Sequence, residues 1–306
     1  MSKSVITDAL LTDIADAIRA KAGSQASMTP AQMAQAIEDI PQGGREPYVE
    51  YTLEHGNTGY ITGAQLKGFE AVPHFFAYRS SGNGHLTNIE IPEGVLAVGI
   101  HAFENSGLQS ISLPDSLTGI DDYSFAGCEL SEIDLPDGLE IIGSYAFQNC
   151  KNLESIVLPE GIHSVVSSNL FCDCVALKSV NFPPAWTYIA EYCFKGCKAL
   201  ELTSIPAHIT AIGAYAFQSC ESITELDIMG AAYTNSSAFY KCTGLRTVRF
   251  HATPSRLHAS TFSSDAALTD IYVPWSSGAV AGAPWGATNA SIHYDTQYDS
   301  EGNVIS

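Results

Sequence analysis

Eight cysteines, nine histidines and the acid pair Asp121-Asp122 are the residues of this 306-residue chain that first suggest chemistry. Thiols and imidazoles at close spacing would hold zinc or a redox couple, and two carboxylates flanking a cleft would serve glycoside hydrolysis. The spacing argues for packing instead. Six cysteines, Cys128, Cys150, Cys174, Cys197, Cys220 and Cys242, recur every 22 to 24 residues, and a free thiol repeated in this way acts as a small buried hydrophobe. Cys193 stands where neighbouring repeats carry alanine and reads as filler too. Cys172-x-Cys174 alone is close enough for redox or metal chemistry. The histidines at 55, 74, 85, 101, 163, 208, 251, 258 and 293 include no pair at the i, i+4 spacing of a helical metal site. Asp121-Asp122 falls at a repeat corner, where acids also suit the start of a helical turn. With no Gly-x-Ser-x-Gly elbow, dinucleotide loop or P-loop in the chain, the expectation is a non-enzyme with no cofactor and no metal.

The elements that would position any site follow from one period. Phe103, Phe125, Phe147, Phe171, Phe194, Phe217, Phe239 and Phe262 are separated by 22, 22, 24, 23, 23, 22 and 23 residues. Each unit opens on a Leu-x-x-Ile-x-Leu-Pro pattern, as in Leu130, Ile133, Leu135 and Pro136. Alternation of Ile111 and Leu113 with Ser110 and Ser112 predicts a short strand with one face in the core, which the proline ends. An Asp/Glu-Gly/Ser turn follows, then a second apolar position (Val98, Ile120, Ile142, Val165, Ile189, Ile212). A small-Phe-x-x-Cys segment, expected as one helical or 3₁₀ turn, closes the unit. No unit can bury its strand and its phenylalanine alone, so neighbours must stack. At ~4.8 Å per strand, nine strands span roughly 40 Å. The predicted fold is an α/β repeat solenoid: a leucine-rich-repeat array of short parallel strands with helical or 3₁₀ return segments.

Composition narrows the function classes. The net charge is −19, from 33 acidic and 14 basic residues. Phosphate contacts need clustered Lys and Arg, so nucleic acid is not an expected partner. No run reaches the ~20 apolar residues of a membrane span. Polar residues such as Thr7, Asp8, Thr12, Asp13 and Asp16 interrupt any apolar signal-peptide core, so synthesis and folding in a cytoplasm are expected.

Four segments are predicted. Residues 1–44 read as a helical hairpin and linker: Leu10, Leu11, Ile14 and Ile18 form one stripe before Gly23, and Thr29-Pro30 starts a second helix carrying Met33 and Ile37. So little apolar mass makes a poor independent core. The hairpin is therefore expected to attach to a partner protein or to copies of itself, against a competing reading in which it packs on the repeats. Residues 45–85 read as an N-terminal cap with strands near Tyr51–Leu53 and Gly59–Thr62. Residues 86–286 hold the repeats and a C-terminal cap, and 287–306 a polar tail expected to fray.

The units from Leu86 to about Pro274, with Ile-x-Leu-Pro and Ala-Phe-x-x-Cys, resemble BspA-type leucine-rich repeats. That resemblance implies adhesion and protein or glycan binding at cell surfaces rather than catalysis. The leader, Leu11-Thr-Asp-Ile14-Ala-Asp-Ala-Ile18-Arg-Ala-Lys21 with Met28-Thr-Pro30, resembles those of tail and baseplate-associated proteins of bacteriophages and prophages. This second resemblance implies a virion component whose residues 1–44 bind other tail proteins and whose repeats bind a bacterial surface glycan or protein. A cell-surface adhesin is the alternative, and a purely structural tail or decoration role a third. The ligand would meet the solvent-facing strand columns, with Glu90, Ser110, Ser112, Glu132, Asp134, Asn181, Ser204, Glu225, Asp227, Arg249, Asp270 and Tyr272 as candidate contacts. A column of Tyr123, Tyr145, Tyr192 and Tyr215 is expected to be a packing ladder rather than a sugar platform.

Overall fold

The computed structural model describes residues 87–162, 167–230 and 232–305, together with short strands at 52–54, 58–60 and 71–72. The helical hairpin expected in residues 1–44, including Leu10, Leu11, Ile14, Ile18, Met33 and Ile37, lies outside the described residues, as do His163 and Val165. Strands Thr52–Glu54 and Thr58–Tyr60 pair antiparallel near the predicted positions. From residue 71 onward every pairing between the described strands is parallel, rung upon rung, and one isolated antiparallel bridge joins Tyr298 and Val304 in the tail.

Each coil presents two sides. The predicted strands form the first: Asn88–Glu90 pairs with Ser110–Ser112, and Ser155–Ile156 with Ser179–Val180. Ser204–Ile205, Glu225–Ile228, Thr247–Phe250, Asp270–Tyr272 and Ser291–His293 make one five-stranded ladder. The second side corrects the sequence reading. The return segment is not helical, and no helix occurs among the described residues. It opens on two-residue strands that form their own parallel ladders, such as Ala97–Val98, Gly119–Ile120 and Ile141–Ile142.

The reason lies in the backbone around each phenylalanine. Except before Phe262, the residue two before it and the residue two after it adopt left-handed conformations, as at Tyr145 and Asn149 around Phe147, or Tyr192 and Gly196 around Phe194. Two such residues four apart cannot belong to one right-handed helix. They turn alternate N–H groups in opposite directions. The N–H of Tyr123, Phe125 and Gly127 donate to carbonyls of Ser144, Ala146 and Gln148 in the next coil, while those of Ala126 and Cys128 close turns within their own. Half of the segment's hydrogen bonds thus run between coils, which an α-helix would have kept for itself.

The core is a single stack. The eight repeat phenylalanines are fully buried, and each ring lies against the next at centroid separations from 5.1 to 5.8 Å. Beside them runs a thiol ladder. Cys128, Cys150, Cys174, Cys197, Cys220 and Cys242 each donate S–H to the phenylalanine carbonyl of the preceding coil, at 3.0 to 3.1 Å. Cysteine is therefore more than filler, because it supplies a weak donor as well as a small volume. The polar tail does not end the array abruptly: Ser291–His293 adds a last rung, and Thr296 N–H donates to Val273 O.

Candidate ligand-binding face

Of the groups the sequence singled out, the described thiols and Asp122 are engaged in packing and corner contacts. Burial pushes the thiols of Cys128, Cys174, Cys193, Cys197, Cys220 and Cys242 up. Cys150 is raised first by its hydrogen bond with the Cys174 thiol and then by burial. Burial and the Asp173 carboxylate hold Cys172 at about 12. None of these thiols is disposed to ionise, as a nucleophile or metal ligand must. The close pair diverges in its contacts, Cys174 toward Phe147 O and Cys172 toward the Asp173 carboxylate. Asp122 braces a corner, its Oδ1 accepting from Ser144 N–H and its carbonyl from His101 N–H. Among the described residues no group of His, Cys, Asp and Glu could hold a metal ion.

The tyrosine column packs as expected. Tyr123 stacks on Tyr145 at 4.4 Å and on His101 at 4.7 Å, and Tyr192 on Tyr215 at 5.3 Å. Ring faces covered by one another are closed to a sugar ring.

Nine of the twelve predicted contacts lie in strands of this side, while Glu132 and Asp134 lie in a rung without strand pairing and Asn181 just past Ser179–Val180. Register pairs Asn88 with Ser110 and Glu90 with Ser112, while Ser204, Asp227, Arg249 and Tyr272 continue one column and Glu225, Thr247 and Asp270 the other. This face divides into three stretches with different chemistry.

Toward the N-terminus it is acidic. Eleven acids and not one lysine or arginine lie between Arg79 and Lys151. Glu90, Glu132 and Asp134 stand exposed there with the hydroxyls of Ser110 and Ser112.

Toward the C-terminus the charges satisfy each other. Arg249 binds Glu225 at 2.8 Å and approaches Asp227 at 3.6 Å. His251 meets Asp227 at 2.7 Å, and His293 meets Asp270 at 2.8 Å while stacking on Tyr272 at 4.3 Å. The tail reaches back over this stretch, with the Tyr298 ring 4.2 Å from that of His251. A turn in which Asp299 accepts from Glu301 N–H, Asn303 N–H and Asn303 Nδ2 holds it in shape.

Between the two the sheet is breached. The ladder is already interrupted at residues 131–135, between Ser110–Ser112 and Ser155–Ile156, and it ends again at Ser179–Val180 to resume at Ser204–Ile205. A depression of about 260 Å³ opens there, with Val180, Phe182, Leu200, Leu202 and Pro206 as its apolar lining. Lys178, Ser179, Glu201, Thr203 and Ser204 make up the polar part of the wall. The cause is legible in the residues. In Leu200-Glu-Leu202-Thr203-Ser204-Ile205-Pro206 the core-facing slot before Ile205 holds Thr203, and the outward slot before it holds Leu202. Thr203 is exposed and Leu202 half-buried, the inverse of their neighbours, so that rung cannot close on the one before it. Reading the columns from the sequence put Leu202 on the solvated face and missed the cleft. It also missed His251, His293 and Tyr298, whose partners are 23 residues or more away or come from the tail. Asn181 is exposed, but its side chain is engaged, accepting from Leu158 N–H and donating to Leu158 O.

A family model described as a BspA type leucine rich repeat region matches residues 77–201 and 164–280, with six copies. Among solved structures, a leucine-rich repeat protein of T. pallidum is 27% identical with a TM-score of 0.46, covering 57% of this chain and 88% of its own. One from Bacteroides ovatus is 20% identical with a TM-score of 0.41, covering 76% and 83%. A leucine-rich cell surface protein of Faecalibacterium prausnitzii is 22% identical with a TM-score of 0.33, covering 55% of this chain and 60% of its own. No curated protein matches the chain.

Proposed function

We propose a surface-binding role on this premise: the chain belongs to the BspA-type leucine-rich repeat family. The role is non-enzymatic adhesion at a bacterial cell surface, with a glycan or protein held on the strand face. The observation that carries it is the strand face, which sets exposed acids and hydroxyls in register at the N-terminal end and an open cleft in the middle. Rigid columns of side chains recognise an extended partner at little ordering cost. No helix among the described residues is long and apolar enough to cross a membrane.

Binding of the purified full-length chain to intact bacterial and host cells tests this. Charge reversal at Glu90, Glu132 and Asp134 should weaken binding, while reversal at Glu140 on the return side should not. Unchanged binding by the triple variant overturns the strand-face reading.

A second reading, a phage tail-associated receptor-binding protein, is carried by the leader sequence alone. Here residues 1–44 attach the chain to other tail proteins and the repeats meet the host. Deletion of residues 1–44 should then abolish incorporation into particles while leaving cell binding intact. Incorporation that survives the deletion removes this reading and leaves the adhesin.

A further inference from the structure

The breach between Ser179–Val180 and Ser204–Ile205 gives the strand face a concave, partly apolar surface. It deepens the strand-face reading, on which it rests, by pointing to the kind of ligand. Its lining combines the side chains of Val180, Phe182, Leu200, Leu202 and Pro206 with a rim of hydroxyls and two charges. That pattern, an apolar floor within a polar rim, is how protein interfaces receive one large anchoring side chain. A volume of about 260 Å³ suits a single aromatic or branched residue.

The surroundings decide what flanks the anchor. On the C-terminal side the charges are consumed by the ion pairs of Arg249, His251 and His293, and Tyr298 covers part of that surface. On the N-terminal side lie the exposed acids of coils that contain no lysine or arginine. At the cleft itself Lys178 is engaged by Glu154 at 2.7 Å, which leaves Glu201 as the acid on the rim. Val157, 72% exposed, extends the apolar surface one coil toward the acidic side. We propose that the cleft takes one large apolar side chain of an extended, basic peptide segment, whose lysines or arginines lie along the acidic strand face toward Glu132 and Asp134. Ligands of this kind gain encounter rate from the charge and residence from the anchor.

The probe is a short synthetic peptide with one phenylalanine flanked on both sides by lysines, titrated into the full-length chain by fluorescence anisotropy. Ser204→Trp and, separately, Ser179→Trp fill the mouth from exposed positions without touching the core. Each should weaken binding about tenfold or more with unchanged thermal unfolding, and replacing the peptide's phenylalanine by alanine should do the same. Raised salt should weaken binding of the lysine peptide. Equal affinity of the wild-type chain and both tryptophan variants overturns the cleft as the anchor. Equal affinity of the phenylalanine and alanine peptides overturns the apolar anchor. A neutral polysaccharide that binds the wild type and is lost with Ser204→Trp, where no peptide binds, assigns the cleft to a glycan and overturns the peptide. Tryptophan variants that still bind cells refute the cleft while leaving the strand-face role standing, so the two failures are distinguishable.

Discussion

At the residue scale, the position that changes most in meaning is the cysteine slot. Its occupants donate S–H to a phenylalanine carbonyl, so Cys197→Ala removes both a contact and a donor in a fully buried row. We expect a loss of about 1 to 2 kcal/mol in urea unfolding. The slot is filled by Asp265 in the last phenylalanine coil. Its Oδ1 accepts from Cys242 N–H at 2.7 Å, while its Oδ2 is buried without a partner. Burial raises this carboxyl from 3.8 to about 7. Between those values the unfolded chain has lost the proton and the folded chain keeps it. The stability tied to Asp265 is therefore complete below about pH 4 and is lost as pH rises through about 7. Asp265→Asn keeps the acceptor and removes the charge, so it should flatten that fall and raise stability at pH 8. Urea midpoints at pH 5 and pH 8 check it, and an unchanged pH slope would exclude Asp265 as its source. The repeat spelled out the slot but not this titration, because the missing Oδ2 partner depends on the fit of two coils.

At the element scale, the paired left-handed residues make the return segment a bridge between coils instead of a helix. Glycine at such a site costs nothing sterically. At Gly196, φ is +76° and an added Cβ would lie 2.3 Å from Asp173 Oδ1. Gly196→Ala should therefore destabilise by more than the conformational cost of about 1 to 2 kcal/mol alone. Ser219 occupies the equivalent place one coil on with φ of 59°, and Ser219→Gly should raise stability by up to about 1 kcal/mol. Thermal unfolding of the two variants, moving in opposite directions, tests the conformation directly. Part of this was legible: Gly127, Asn149 and Gly196, two residues after their phenylalanines, are types that tolerate positive φ. The tyrosines two residues before are not. The hydrogen bonds they make to the next coil, as from Tyr145 N–H to Ser168 O, and their stacked rings hold them there.

For the whole molecule, charge is distributed as unevenly as the cleft. Eleven acids without a base between Arg79 and Lys151 repel one another, and salt screens that repulsion within about 8 Å at physiological strength. Raising salt should slow hydrogen exchange in the N-terminal coils more than in the coils around Arg249, where it weakens ion pairs. The same salt response at both ends would argue against the asymmetry. An array of this kind gains stability from neighbours, so such local differences need not average out.

The sequence by itself determined the stack, because a residue repeated at near-constant spacing can be buried only against its own copies. The phenylalanine and cysteine rows and the stacked tyrosines followed from that period, and the solvent-facing columns did so wherever a rung keeps its pattern. The tertiary structure decided what the period could not express. Whether a return segment curls or bridges depends on where its N–H groups find acceptors in the next coil. Whether Glu225, Asp227 and Asp270 stand free depends on Arg249, His251 and His293, each more than 20 residues away along the chain. Whether a rung closes depends on Leu202 and Thr203 exchanging their expected places. These are contacts across coils, set by three-dimensional fit, and no local pattern carries them.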